Sequence, residues 1–187
     1  MNAIKVAAYH ESAHIVISHY FGFSSEYVRL NRNGDGEYKI DFGEFADIAA
    51  PMMIMDICPE LFSQLSSHYK NISNDKVSGL AKQICYILIS GGIAENIAYL
   101  GKNFTGRTDV QLAGPDLTRA SAIAQHFSID LDKEMNNLYE AIREDQLWIH
   151  IEQLATTLLA SDTMYLSREE ICQSLNKSGF REFLLIK

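Results

Sequence analysis

Residues 2–21, "NAIKVAAYHESAHIVISHYF", contain neither proline nor glycine, and Gly22 follows where a helix stop belongs. The stretch predicts one long N-terminal helix. The period changes directly after it. In "EYVRLNRNGDGEYKIDFGEF" (26–45), Tyr38, Ile40 and Phe42 recur at spacing two, and Asn33-Gly34-Asp35-Gly36 is a hairpin signal. A small β-hairpin over 26–43 is therefore expected next to the first helix.

The rest of the chain reads as helical. Residues 46–70 are apolar and interrupted by Pro51 and Pro59, which suggests short helical pieces. A long helical pattern runs from about 75 to 100 and ends at Gly101. "KNFTGRTDVQLAG" (102–114) is loop-like, and Pro115 suits a first helical position. Leu117, Ala120, Ala124 and Phe127 then recur at spacings of three and four, one buried face. Residues 132–161 and 167–178 look like two further amphipathic helices. The expectation is a mainly α protein, one domain over 1–187 with a small β-hairpin.

Composition narrows the function classes. The 187 residues suffice for one sizeable core, and 47% apolar with 21% charged residues is an ordinary globular balance. A net charge of −8 argues against a nucleic-acid partner, which calls for a basic face. The three cysteines, Cys58, Cys85 and Cys172, form no CxxC and suggest no disulfide framework, as expected in a reducing cytosol. No signal peptide is evident, and the longest uncharged apolar run, "ICYILISGGIA" (84–94), is short for a bilayer span. A cytoplasmic protein without a membrane segment is the expectation.

His10-Glu11-Ser12-Ala13-His14 carries the chemistry. Residues four apart on an α-helix differ by about 40° in azimuth and about 6 Å in height. Two histidines so placed can offer ring nitrogens to one ion at about 2.0–2.1 Å. Glu11 flanks that face, set back from the ion, where it can take a proton from an attacking water and pass it to a leaving amine. This is the HExxH arrangement of zinc peptidases. It supplies two ligands, and a hydrolytic site needs a third with one position open. His19 lies about 140° round the helix from His14 and reads as an exposed or hydrogen-bonded bystander.

"AAYHESAHIVISHYFG", "SGGIAENIAYLG" (90–101) and "FTGRTDVQLAGPDLTRASAIAQHF" (104–127) resemble, in the same order, three segments of the FtsH family, membrane-anchored AAA+ zinc proteases. The C-terminal "WIHIEQLATTLLASDTMYLSREEICQSL" (148–175) is similar to the end of that family's peptidase domain. The resemblance implies a helical metallopeptidase domain with Zn2+ as cofactor, held by His10, His14 and Asp116, with Glu11 as general base. Asp116 also shares a helical face with Ala120 and Ile123, which points it inward, where a carboxylate wants a cation. A first-turn aspartate favoured by the helix dipole is the bland alternative. Asp109 in "TGRTDV" is a rival ligand, and Glu95 another.

There are departures from the family. Ala13 stands where the family has glycine, the segment from TG to Asp116 is longer, and residues 31–75 match poorly. The AAA+ module and membrane anchor are not among these residues, so the resemblance carries peptidase activity without ATP-driven unfolding. Gly91 and Gly92 are expected to let their helix approach the HExxH helix. An edge strand of the hairpin beside the cleft would suit an extended peptide. The expected substrate is a peptide or unstructured protein. A non-catalytic zinc-binding or partner-binding module that retains the fold is the alternative. A small regulatory peptidase of the phage-repressor-cleaving sort shares HExxH too.

Overall fold

In the computed structural model the described residues are 2–54, 72–101, 114–144 and 146–186. The first helix, α1, spans Ala3–Tyr20. The Asn2 side chain caps it by accepting from the Ile4 N–H at 3.2 Å, and Gly22 leaves it at φ 86°. From Ala8 to Ser18 every residue except half-buried His10 is buried. A helix buried all round belongs in the centre of a protein. Accordingly α1 meets a long helix on one side, the hairpin on another and a C-terminal helix on a third. Tyr9 stacks on Trp148 of that last helix at 5.2 Å with planes 7° apart, a contact of about 0.5–1.5 kcal/mol beyond burial.

Strands β1 (Ser24–Leu30) and β2 (Gly36–Asp41) form the hairpin, with Val28 opposite Tyr38 and a bulge between Ser25 and Tyr27. A third strand, β3 (Tyr165–Ser167), pairs antiparallel with the other edge of β1, giving the order β2-β1-β3. The C-terminal reading had no strand here, so the sheet has one strand more than expected. Three residues carry no visible period, and their ladder partner lies far away in sequence.

Helix α2 covers Ala46–Ile54 with Pro51 inside it; the remaining pieces expected up to 70 lie outside the described residues. Helix α3 runs Asn74–Leu100, 27 residues or about 40 Å, and ends at Gly101 with φ 88°. Among the described residues it alone is long and apolar enough to cross a membrane, and 67% of that apolar window is buried inside the protein. Helix α4 is Pro115–Phe127, with Pro115 in its first turn as expected. The stretch read as one helix over 132–161 is instead two, α5 (Leu131–Glu144) and α6 (Gln146–Ala160). Helix α7 (Arg168–Lys177) starts on a reciprocal Ser167–Glu170 capping box, and a short α8 (Phe180–Ile186) follows Gly179. The protein is thus mainly helical, with eight helices among the described residues beside the small sheet.

Helices α1 and α3 pack against each other. Ile15, Ile17, Ile84, Ile87 and Leu88 are at most 1% exposed between them and their neighbours. Helix α4 packs on α3, and its N-terminal turn reaches the middle of α1.

Candidate metal centre

His10 and His14 project from the middle of α1 toward α3, their rings edge to face at 4.6 Å between centroids. Asp116, in the first turn of α4, reaches the same point. Its Oδ2 lies 3.3 Å from His10 Nε2 and 3.4 Å from His14 Nε2. One ligand atom from each of the three residues falls within 4.8 Å of the others, a group that could hold a metal ion. For tetrahedral ligands at about 2.0–2.1 Å from an ion, the ligand–ligand separation is about 3.3–3.4 Å. Two sides of the triangle already have that length.

The tautomer of His14 is set from behind. Its Nδ1–H donates to the Ile87 carbonyl at 2.6 Å, which leaves Nε2 as a bare lone pair. That Nε2 is buried and has no hydrogen-bond partner. An unpaired buried group of this kind costs about 1–3 kcal/mol unless something takes the lone pair. A metal ion is the fitting occupant, because the neighbouring acceptor on Asp116 has no proton to give when ionised.

Gly91 makes the room. A β-carbon there would sit 2.6 Å from both Nε2 atoms, in the space between the two imidazoles and α3. The close approach anticipated for the two glycines is therefore real at Gly91, and its specific use is to leave the ring nitrogens uncovered. His10 and Asp116 keep 22% and 25% of their side chains exposed and His14 none, so the centre opens on the His10–Asp116 side.

Glu11 is buried at 7% exposure, and its Oε2 has no hydrogen-bond partner. Burial raises its pKa, His14 and His10 pull it back, and Asp116 and Glu95 push it up again. The Gly36 backbone of β2 lies so close to this carboxyl that a β-carbon would collide with it. Glu95 is placed differently from the ligand role weighed for it. Its Oε1 lies 2.9 Å from the other ring nitrogen of His10, Nδ1, at ion-pair distance but out of line for a hydrogen bond. Glu95 thus stands behind His10.

Burial alone would lower the His10 pKa, but Asp116, Glu95 and Glu11 outweigh it and raise it to about 10. Asp116 is held well below the usual carboxylate range, because His10 and His14 outweigh its burial. Without an ion, a proton on His10 answers these carboxylates; a divalent cation would displace that proton and take its place among them. Arg119 offsets a part of the negative charge, with Nη1 3.5 Å from Asp116 Oδ1.

The structure therefore brings together His10, His14 and Asp116, with Glu11 beside them. Asp109 lies outside the described residues. His19 is half-buried and apart from the cluster, and its Nε2 is buried without a hydrogen-bond partner, so it is neither exposed nor bonded through that atom. Sequence reasoning missed Tyr38, whose ring stacks on His14 at 4.5 Å, and the Ile87 carbonyl. The alternation of β2 places Tyr38 on the same face as buried Ile40, but not which helix that face meets. A cavity of about 250 Å3 lined by Ile17, Phe21, Tyr86 and Leu138 shares no residue with the cluster.

Comparison of the chain with protein-family models, with curated proteins and with solved structures finds no match in any of the three.

Proposed function

We propose that this protein is a zinc-dependent metallopeptidase related to the FtsH peptidase domain. The observation that carries the reading is the meeting of His10, His14 and Asp116 around a buried, unpartnered Nε2, with the unpartnered carboxyl of Glu11 alongside. The HExxH spacing and the ordered resemblance of three segments support it. His10 Nε2, His14 Nε2 and Asp116 Oδ2 would hold the ion. Zinc bound there would supply a Lewis acid that polarises the scissile carbonyl and acidifies water.

The residues of the chain do the rest. Glu11 accepts the proton of the attacking water on its free oxygen and returns it to the leaving amine nitrogen. The Ile87 carbonyl holds the His14 imidazole from behind, and the charge of Glu95 faces the far nitrogen of His10. Strand β2, an edge strand among the described residues with Gly36 against Glu11, takes an extended peptide alongside. The proposed substrates are peptides or unstructured proteins, and the proposed location is the cytoplasm, in keeping with unpaired Cys85 and Cys172.

A non-catalytic metal-binding or partner-binding module with this fold is the second reading. One observation favours it: Arg119 already pairs with Asp116, and a fixed cation beside a ligand weakens its pull on another. Glu11→Gln separates the two. In the peptidase it keeps zinc content and fold but lowers cleavage of casein or unstructured peptides by on the order of 10²–10⁴. A zinc-loaded wild type that cleaves nothing in a broad peptide library, with Glu11→Gln indistinguishable from it, establishes the module instead.

A further inference from the structure

Strand β2 turns one face onto α1. Residues two apart on a strand share a face, and here Gly36 abuts Glu11 while Tyr38 abuts His14. The Tyr38 ring lies 4.5 Å from the His14 imidazole, centroid to centroid, with the planes 26° apart. That is a stacked contact on the flat of the ligand ring. The other restraints on His14 act at its rim. Its Nδ1 is tied to the Ile87 carbonyl at 2.6 Å and lies 3.5 Å from Ser90 Oγ, His10 meets it at 74°, and Gly91 lies under Nε2. Both polar contacts meet the ring at that one nitrogen, so they fix where the ring is anchored but let it rock about the Nδ1 end. A flat aromatic surface against its face removes that freedom.

We propose that Tyr38 is a positioning residue of the metal centre, setting the plane of the His14 imidazole so that Nε2 faces His10 and Asp116. The proposal rests on the metal-centre reading above. Tyr38 acts through His14 and needs no contact with the ion or the substrate. It also gives the hairpin a definite task. The strand is a wall of the centre, and its inward residues are matched to the helix they cover: no side chain over Glu11, a flat one over His14.

The test uses the full chain, titrated with cobalt(II) in place of zinc and followed by its visible absorption. Tyr38→Val keeps a strand-forming residue but removes the stacking face. It should weaken cobalt binding by about 10–100-fold, the usual scale for residues that orient a ligand, and shift the absorption bands. Tyr38→Phe keeps the face and should restore both affinity and spectrum. In the metal-free protein, proton resonances of the His14 ring should move in Tyr38→Val, which loses the ring current, and stay put in Tyr38→Phe. Thermal melting checks that both fold, and Tyr38→Leu replaces Tyr38→Val should the latter melt too low. Unchanged affinity and spectrum in the stack-less variant overturn the assignment, and so does a Phe variant as weak as Val. Should wild type take up no cobalt at all, the metal-centre reading fails and this proposal with it; the first two outcomes leave that reading standing.

Discussion

Asp116 Oδ2 and His10 Nε2 lie 3.3 Å apart although 106 residues separate them along the chain. The contact joins the first turn of α4 to the middle of α1 and completes a set of ligand atoms that neither helix holds alone. Glu95, the nearer acidic candidate, meets the opposite nitrogen of the same ring.

That difference in placement predicts a difference in effect. Asp116→Asn keeps the shape, removes the charge, and should weaken zinc by at least about tenfold, or about 1.4 kcal/mol. Glu95→Gln should weaken it less, because Glu95 meets the far nitrogen of His10 by charge alone and its side chain is 43% exposed. Competition against a chromophoric chelator measures both. A Glu95→Gln protein without zinc beside an Asp116→Asn protein that retains it would exchange their roles.

The same substitution at two glycines of α3 should act in opposite directions. Gly79 has nothing within 4 Å of its would-be β-carbon, so Gly79→Ala should stabilise the protein by about 0.5–1 kcal/mol. Gly91→Ala would thrust a methyl against His10 and His14, and should cost at least about tenfold in zinc affinity together with some stability. Elemental analysis and thermal melting of the two variants check this. Full zinc content in Gly91→Ala would show that the space is not needed.

His19 predicts an acid sensitivity separate from the metal. Burial, with Arg168 nearby, pushes its pKa down from 6.5 to about 4. Below pH 6.5 the unfolded chain takes up a proton that the folded chain refuses. The stability is therefore complete above about pH 6.5 and declines as pH falls toward 4. His19→Gln removes this slope. Between pH 7 and 4 the Tm of metal-free wild type should fall relative to that of the variant by several degrees, since about 1 kcal/mol moves the Tm of a chain this size by about 2–4 °C. Parallel curves would mean that His19 titrates normally.

What local pattern can carry was readable in the sequence. The proline-free stretch before Gly22 matches α1 within a residue at each end, and Asn33–Gly36 marks the turn between β1 and β2. Pro115 marks the start of α4. Contacts between distant segments were not readable in this way. Asp116 entered through a resemblance, since no spacing rule links it to a helix 106 residues earlier. Strand β3 owes its existence to β1, through Val28 opposite Leu166, more than to its own three residues. The division of 132–161 into α5 and α6 carries no proline or glycine to announce it. Glu95 looked like a ligand because its residue type allows it; only the geometry places it on Nδ1 of His10.

The central claim is that one ion sits among His10, His14 and Asp116, and locating the ion tests it most directly. Crystals of protein purified without added zinc, measured on both sides of the zinc absorption edge, should give an anomalous peak about 2.0–2.2 Å from His10 Nε2, His14 Nε2 and an Asp116 oxygen, with Glu11 outside ligand distance. A map without a peak at this position, or with one whose third ligand is Asp109 or Glu95, would contradict the account.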